Sequence, residues 1–262
     1  MLVALPKSAS AFLQEALRLG LDIPHKEVSM GYFPVDVLDY RKLQACSTGQ
    51  SMAKAHLDGN PLNLHLLGMF CPRMVLHLRD PRQALLSLAH HLKRDYDRGD
   101  PHYRNWVAPI PPPELLQRSL SAAIDWYLIH QLPNLLEWSE RWLAHAESGA
   151  QPRVLITQYH ELRENVDAVI ARILDFYEIP PTAYIPAPVP KDGFTHFRKG
   201  ELEEWREVFN PAQQEICAEL MAGYPRVNRL FGGIQYPAEG KNECSTGGLR
   251  QGRETHASTP LR

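Results

Sequence analysis

The segment Leu2-Val-Ala-Leu-Pro-Lys-Ser-Ala-Ser-Ala-Phe12 decides the fold class of this chain. Its first four residues predict a buried strand, and after a turn a helical period runs over 9–20. Such a turn presents free backbone N–H groups and the positive end of the helix dipole, which together bind phosphate or sulfate. Lys7 adds a cation, while Ser8 and Ser10 add hydroxyl groups, although either serine could simply cap the helix.

The same alternation of strand, turn and helix recurs along the chain and predicts one α/β domain. Apolar runs at Arg73–Leu78 and Arg153–Thr157 predict two further strands, and a weaker run spans Gln50–Ala55. Helical periods are found at 9–20, 61–70, 81–95, 114–131, 134–147, 164–177 and 211–223. The domain is expected to cover residues 1–236, and a disordered tail is expected over 237–262, because residues 238–262 contain no Val, Ile, Met or aromatic residue.

The charge balance limits what the protein binds. The 262 residues include 28 Lys and Arg and 30 Asp and Glu, which gives a formal charge of −2. A bulk attraction to nucleic acid or to an anionic membrane is therefore excluded, and an anion site must come from a local basic cluster. With 44% hydrophobic and 22% charged residues, a wholly disordered or fibrous chain is excluded as well.

The four cysteines, Cys46, Cys71, Cys217 and Cys244, have no spacing typical of a zinc site. They are too few for a disulfide scaffold, so free thiols in a reducing compartment are expected. The chain has no run of 18 apolar residues and no secretory signal at its start, which makes the cytoplasm the expected location.

Two further clusters have the chemistry of phosphate binding. Arg79 follows the strand that ends at Leu78, and Ser87 lies about two turns into the next helix, so both are near the strand end where α/β sheets bind ligands. The alternative is that Arg79 only pairs with a carboxylate, and Asp80 is expected to orient it.

The later stretch Arg198-Lys199-Gly200 would make a compact anion clamp, unless it is a solvated basic turn. In the helix after Arg79, His90 and His91 are predicted to be solvated.

These motifs resemble those of the sulfotransferases that use 3′-phosphoadenosine 5′-phosphosulfate (PAPS). Pro6-Lys7-Ser8-Ala9-Ser10 is similar to that family's phosphosulfate loop, with alanine in place of glycine. Arg79 and Ser87 have the spacing of its 3′-phosphate motif, and Arg198–Trp205 is similar to its late Arg-Lys-Gly motif. Lys54-Ala55-His56-Leu57 is similar to the family's Lys-x-His-Leu, and Tyr159 to its adenine-contacting tyrosine.

The resemblance implies a fold and a reaction. The fold would be a single P-loop-like, three-layer α/β domain with a central, mostly parallel sheet flanked by helices. The reaction would move a sulfuryl group from PAPS to a hydroxyl or amine of a small acceptor, with His56 as the base. Lys7, with Lys54 on the other side, would neutralise charge on the departing phosphate. No metal would be required.

The remaining family positions would bind the nucleotide. The phosphosulfate would lie in the loop formed by Ser8, Ala9, Ser10 and Ala11, while Phe12 and Tyr159 would contact adenine. The 3′-phosphate would be bound by a separate set of residues, namely Arg79, Ser87, Arg198, Lys199 and Gly200.

The chain departs from the family pattern at several of these positions. Ala9 replaces a glycine, Ala11 replaces a hydroxyl-bearing residue, and Glu203 and Glu204 put negative charge beside the late anion clamp. These departures motivate an alternative, a degenerate member that binds a nucleotide or a partner without turnover. A P-loop nucleotide kinase is the other alternative, although the Walker glycines are missing.

The acceptor cannot be read from the sequence, but the aromatic loops favour an apolar alcohol or phenol. No nucleic-acid or membrane partner is expected. A homodimer is compatible with the sequence, which leaves the oligomeric state open.

Overall fold

The computed structural model of the protein describes residues 1–100, 109–189 and 199–233. Its centre is a parallel sheet of four strands, β1 (Leu2–Ala4), β2 (Lys54–Ala55), β3 (Arg73–Leu78) and β4 (Arg153–Gln158), in the order β2-β1-β3-β4. The register places Leu2 beside Val75, and Arg73 beside Arg153. The prediction of an α/β fold with a central parallel sheet is therefore confirmed, although the weak run at Gln50–Ala55 contributes only a two-residue strand.

Helices flank the sheet on both sides. In chain order they are α1 (Ser10–Gly20), α2 (Tyr40–Ser47), α3 (Pro61–Phe70), α4 (Pro81–Asp97), α5 (Pro113–Arg118), α6 (Leu120–His130), α7 (Leu132–Ser148), α8 (Tyr159–Glu164), α9 (Val166–Phe176), α10 (Trp205–Val208), α11 (Pro211–Ala222) and α12 (Pro225–Phe231). A 3₁₀ turn covers Pro181–Ala183. The helices predicted from periodicity are present within a few residues, with one exception.

The exception is the helix predicted over 114–131, which is two helices. Ser119 adopts an extended backbone with φ −168° and ψ 163°, and its hydroxyl accepts a hydrogen bond from the N–H of Ala122. A serine in that geometry is a favourable N-cap, so α5 ends and α6 begins at this residue. The apolar period continues across the break because both helices pack on the same core.

Two apolar clusters cover the two faces of the sheet, because successive side chains of a strand point to opposite sides. Val3, Met74 and Leu76 pack in the larger cluster with α3, α4, α6 and α7. Leu2 and Val75 pack in the smaller one with α1 and α9. The sheet is thus the middle of three layers, as expected.

In a parallel sheet all strands end at the same edge, and here that edge collects the residues singled out in the sequence. Lys7 follows β1, His56 follows β2, Arg79 follows β3 and Tyr159 follows β4. The strand order places β1 between β2 and β3, so the first loop lies at the centre of the group.

Some sequence predictions fall outside the described part of the chain. They concern Arg198, the tail at 237–262, and parts of the proline-bearing loops. Among the residues with a described structure, no helix combines the length and apolar character needed to cross a lipid bilayer.

Candidate functional site

The loop between β1 and α1 has the backbone geometry of an anion site. Lys7 and Ala9 both have φ of +64°. The carbonyl of Lys7 accepts a hydrogen bond from Nη1 of Arg79 at 2.8 Å, and that of Ser8 accepts one from Nε2 of His77 at 2.8 Å. Because C=O and N–H point in opposite directions in a trans peptide, the following N–H groups, those of Ser8 and Ala9, face away from these donors. Successive N–H groups in such a turn form an anion-binding nest.

The uncharged side chains of this loop contribute to its local structure. The Ser8 hydroxyl is buried and donates to the carbonyl of Leu5 at 2.7 Å, which closes the turn. Ser10 is the buried first residue of α1, and Ala11 follows it half-exposed. Phe12 packs against the apolar cluster shared by α1 and α9. The hydroxyl of Ser8 is therefore engaged within the loop, while its backbone N–H belongs to the nest.

Lys7 supplies the positive charge of the loop. Burial and the nearby charges of Arg94 and Arg79 lower the pKa of Lys7 to about 7, while Asp95 opposes this effect. An anion seated in the nest would stabilise the protonated ammonium and raise that pKa again. Three cations are thus grouped around the first loop.

His56 has a defined tautomer. Its Nδ1 lies 2.6 Å from the carbonyl oxygen of Ala4, which can only accept a hydrogen bond. Nδ1 must therefore bear the proton, and Nε2 carries the lone pair. Burial, with the positive charges of Lys54 and Lys7, lowers the pKa of His56 to about 3, so the ring is neutral at physiological pH.

Two tryptophans of α7 fix the backbone at His56. The indole N–H of Trp138 donates to the carbonyl of Leu57 at 2.7 Å and approaches that of His56 at 3.3 Å. The indole N–H of Trp142 donates to the same Leu57 carbonyl at 2.8 Å. Both rings are buried, so the segment after β2 is tied to a packed helix.

Lys54 lies in β2, half-buried, two residues before His56. Burial lowers the pKa of Lys54, and the charges of Glu27 and Asp36 oppose this effect. Asp36 is itself buried, and burial raises the pKa of its carboxyl, against hydrogen bonds from backbone N–H groups that include that of His56. The predicted second lysine is therefore close to both His56 and an acidic group.

Arg79 connects three separate parts of the chain. Its Nη1 donates to the carbonyl of Lys7, and its Nη2 donates to that of Glu201 at 3.0 Å. Its guanidinium lies 4.0 Å from the centre of the Tyr159 ring. The Tyr159 hydroxyl in turn donates to the carbonyl of Gly200 at 3.0 Å. The structure thus brings the first, second and third predicted clusters together at one edge of the sheet.

The late anion clamp is partly described. Gly200 has φ of +77°, a conformation that favours glycine, and its carbonyl also accepts from Arg163. The ammonium of Lys199 lies 3.3 Å from Glu204 and 4.0 Å from Glu201, so acidic neighbours share its charge. Arg198 lies outside the described residues.

The other members of the second cluster lie on α4. Ser87 is half-buried within this helix. Asp80, expected to orient Arg79, accepts the N–H of Arg82 as the N-cap of α4 and forms a buried ion pair with the Arg82 side chain at 2.6 Å. Asp80 therefore acts as the N-cap of α4 and as the ion-pair partner of Arg82.

The prediction that His91 is solvated is wrong. The ring is buried, its Nδ1 accepts a hydrogen bond from Arg94 at 2.8 Å, and its Nε2 lies 3.3 Å from Asp95.

Sequence reasoning also missed His77, Trp138 and Trp142. A histidine inside the apolar run Arg73–Leu78 was the available signal, since a buried imidazole in a strand requires hydrogen-bond partners. For Trp138 and Trp142 the sequence shows only a helical spacing, which does not indicate what their indole N–H groups contact. Within the described ranges, no group of three or more His, Cys, Asp or Glu residues is arranged to bind a metal ion.

Comparisons with known proteins bear on the family. The family model described as "Sulfotransferase domain" matches residues 1–191. The 3-alpha-hydroxysteroid sulfotransferase of Cavia porcellus is 24% identical over 211 residues, which are 68% of this chain and 66% of that protein, just under two thirds of its length.

Two solved structures are also similar. The crystal structure of mouse sulfotransferase SULT7A1 complexed with PAP matches with a TM-score of 0.60 and 18% identity, over 88% of this chain and 86% of that one. A sulfotransferase domain from the curacin biosynthetic pathway matches with a TM-score of 0.47 and 12% identity, over 84% of this chain and 96% of that one.

Proposed function

Because this chain belongs to the sulfotransferase domain family, we propose that it moves a sulfuryl group from PAPS to a hydroxyl or amine of a small, apolar acceptor. The mouse relative is described as complexed with PAP, the nucleotide that remains when PAPS gives up its sulfuryl group. That description supports PAPS as the donor here.

The tautomer of His56 is the observation that carries the proposal. A general base needs a lone pair, and the Nδ1 contact with Ala4 leaves one on Nε2. The acceptor oxygen would attack sulfur as its proton passes to Nε2, and the bond from sulfur to the bridging phosphate oxygen would break. Transfers of this type resemble phosphoryl transfer, in which positioning and charge stabilisation supply most of the catalysis.

The nest around Ser8 and Ala9 fits the phosphosulfate of the donor. Its N–H groups would bind the anionic oxygens, and Lys7 would neutralise charge on the departing phosphate, with Ser10 and Ala11 completing the turn. Lys54 would act from the side of the base. The basic surroundings of Lys7, which include Arg79 and Arg94, support this assignment, because preorganised positive charge stabilises the charge that develops on the departing phosphate.

The residues at the ends of β3 and β4 would bind the rest of the nucleotide. We assign the 3′-phosphate to Arg79, Ser87 and the Arg198–Gly200 stretch, and adenine to Tyr159 and Phe12. The contacts of Arg79 with the loop and with the Glu201 carbonyl support a site in which these segments close together.

The proposal also extends to the acceptor, the compartment and the assembly. The guinea pig relative is named for a 3-alpha-hydroxysteroid, which agrees with an apolar alcohol. The thiols of Cys46, Cys71 and Cys217 are free, as expected for a reducing compartment such as the cytoplasm. We propose no nucleic-acid or membrane partner, no metal requirement, and a homodimer as the assembly to test.

The test removes the proposed base. With ³⁵S-labelled PAPS and acceptors that include 2-naphthol and a 3α-hydroxysteroid, His56→Ala is expected to lower kcat by about 10²- to 10⁴-fold. The Kd for PAP, measured by isothermal titration calorimetry, is expected to stay within about threefold, since the imidazole does not hold the nucleotide.

The matched control is His65→Ala, which removes an exposed histidine of α3 and should leave both quantities unchanged. Loss of PAP binding in His56→Ala would contradict the role of His56. Binding of PAP by the unaltered protein with no transfer to any acceptor would favour the non-catalytic alternative. Thermal stabilisation by Mg-ATP alone would favour a kinase.

A further inference from the structure

A polar chain runs beneath the first loop, through the interior of the sheet. The ring of His77 on β3 lies between the first loop and β4, with Nε2 2.8 Å from the carbonyl of Ser8 and Nδ1 2.9 Å from the hydroxyl of Thr157. Both His77 and Thr157 have no exposed surface. The family assignment does not account for this pair.

The two contacts together determine where the protons lie. The Ser8 carbonyl can only accept, so Nε2 of His77 must bear a proton and donate it. Burial lowers the pKa of His77 to about 4, so the ring is neutral and Nδ1 has a lone pair. The Thr157 hydroxyl must then be the donor to Nδ1. Without that donor, the ring would be free to carry its proton on Nδ1 and to turn a lone pair toward the Ser8 carbonyl.

The direction of the Ser8 carbonyl decides the direction of the next N–H group. The Ser8–Ala9 peptide is planar, so pulling its carbonyl toward His77 turns the N–H of Ala9 the opposite way, into the nest. The conformation needs such support, because a residue other than glycine at positive φ costs about 1–2 kcal/mol. Ala9 has φ of +64° and no side-chain cap at the start of α1.

We propose that His77, fixed in its Nε2–H tautomer by Thr157, is a positioning residue that orients the Ser8–Ala9 peptide for anion binding. It touches neither donor nor acceptor and acts only through the loop. The inference rests on the proposed function in one respect, namely that the anion is the phosphosulfate part of the donor nucleotide.

The experiment compares two substitutions at Thr157, one isosteric with threonine and one that loses only its methyl group. Thr157→Val removes the hydroxyl and keeps the branched shape, whereas Thr157→Ser keeps the hydroxyl. In Thr157→Val the Kd for PAP is expected to rise about tenfold, and in Thr157→Ser it is expected to stay within about twofold. The KM for 2-naphthol is expected to be unchanged in both.

The tautomer itself is read by nitrogen-15 NMR of the imidazole in the unaltered protein and in both variants. The unaltered protein and Thr157→Ser are expected to show the Nε2–H form of His77, and Thr157→Val is expected to lose it. The backbone amide resonance of Ala9 should move in Thr157→Val alone. A purely structural role would lower the free energy of unfolding without changing this tautomer.

A second pair of variants, at His77, tests the proposal independently if a Thr157 variant misfolds. In His77→Gln the amide nitrogen can reach the position of Nε2 and donate to Ser8, so PAP affinity is expected to be largely retained. In His77→Leu it is expected to fall about tenfold or more. Urea denaturation of each variant establishes that it is folded.

Three results would overturn the proposal. They are an Nδ1–H tautomer in the unaltered protein, an unchanged Kd for PAP in Thr157→Val, and an equal loss in Thr157→Val and Thr157→Ser. If the unaltered protein binds no PAP, the proposed function fails, and the tautomer and the Ala9 resonance still decide the positioning role.

Discussion

Two histidines at this edge of the sheet, the half-buried His56 and the buried His77, carry their protons on opposite nitrogens. His56 donates from Nδ1 to the carbonyl of Ala4, and His77 donates from Nε2 to that of Ser8. In both cases a backbone oxygen selects the tautomer, because it can only accept. The two rings differ in their second nitrogen. His56 keeps a lone pair on Nε2, whereas both nitrogens of His77 form hydrogen bonds within the protein.

The depressed pKa of Lys7 leads to a prediction about proton uptake. At pH 8 a lysine with a pKa of about 7 is mostly neutral, and a bound phosphate would restore its charge. We therefore expect PAP binding at pH 8 to take up about one proton. Calorimetric titrations in buffers of different ionisation enthalpy measure this number directly.

Lys7→Arg is the control for the uptake, because a guanidinium stays protonated and should bind PAP with no proton exchange. A binding enthalpy of the unaltered protein that does not depend on the buffer would show that Lys7 is not next to the anion.

At the scale of elements, the start of α1 is a strained point of the site. The helix begins after Ala9, whose φ of +64° and ψ of 21° are left-handed, and no side chain caps it. The backbone of this turn is instead supported from below by Arg79 and His77. A glycine would adopt the same geometry without steric cost.

Ala9→Gly is therefore expected to stabilise the protein. Relief of about 1–2 kcal/mol of strain exceeds the entropy that a glycine adds to the unfolded chain, about 0.5–1 kcal/mol, so the net gain should be about 0.5–1 kcal/mol. Urea denaturation measures it. Ala16→Gly, inside the same helix, should instead destabilise by about 1 kcal/mol. A loss of stability in Ala9→Gly would mean that the turn is not strained.

The element pattern explains what could be predicted from the sequence. Apolar runs followed by helical periods predicted the strands and the longer helices, and the parallel sheet then required Lys7, His56, Arg79 and Tyr159 to meet at one edge. The break at Ser119 was missed because the apolar period continues through it. Short helices such as α8 were missed because six residues carry little periodicity.

The partners of the site residues could not be predicted in the same way. Which oxygen accepts from Arg79, or which hydroxyl faces His77, depends on strand register and on residues far apart in the chain. The contact between Arg79 and Glu201 joins positions that are separated, in the described part of the chain, by the six helices α4 to α9 and by β4. Spacing within a motif contains no information of this kind.

For the whole molecule, the lowered pKa values of these two histidines make the free energy of unfolding depend on pH. The sheet is covered on both faces, and His56 and His77 have pKa values of about 3 and about 4 in the folded protein. An unfolded histidine has a pKa near 6.5, so the unfolded chain binds more protons below that value.

The free energy of unfolding is therefore expected to fall as the pH drops from about 6.5 toward 4, by up to about 1.4 kcal/mol per pH unit for each of the two histidines. Urea denaturation at pH 7, 6 and 5 measures the slope. His77→Gln should make it shallower, while His65→Gln, on the exposed part of α3, should not. An equal slope in all three proteins would contradict burial of a neutral His77.

The tryptophans of α7 have a practical consequence. Trp138 and Trp142 donate to the carbonyls of the segment that carries His56, so any movement of that segment changes the polarity around two indole rings. If the proposed function holds and an acceptor beside His56 displaces this segment, the ultraviolet emission of these two tryptophans is expected to shift. Acceptors could then be screened by intrinsic fluorescence, with no label attached.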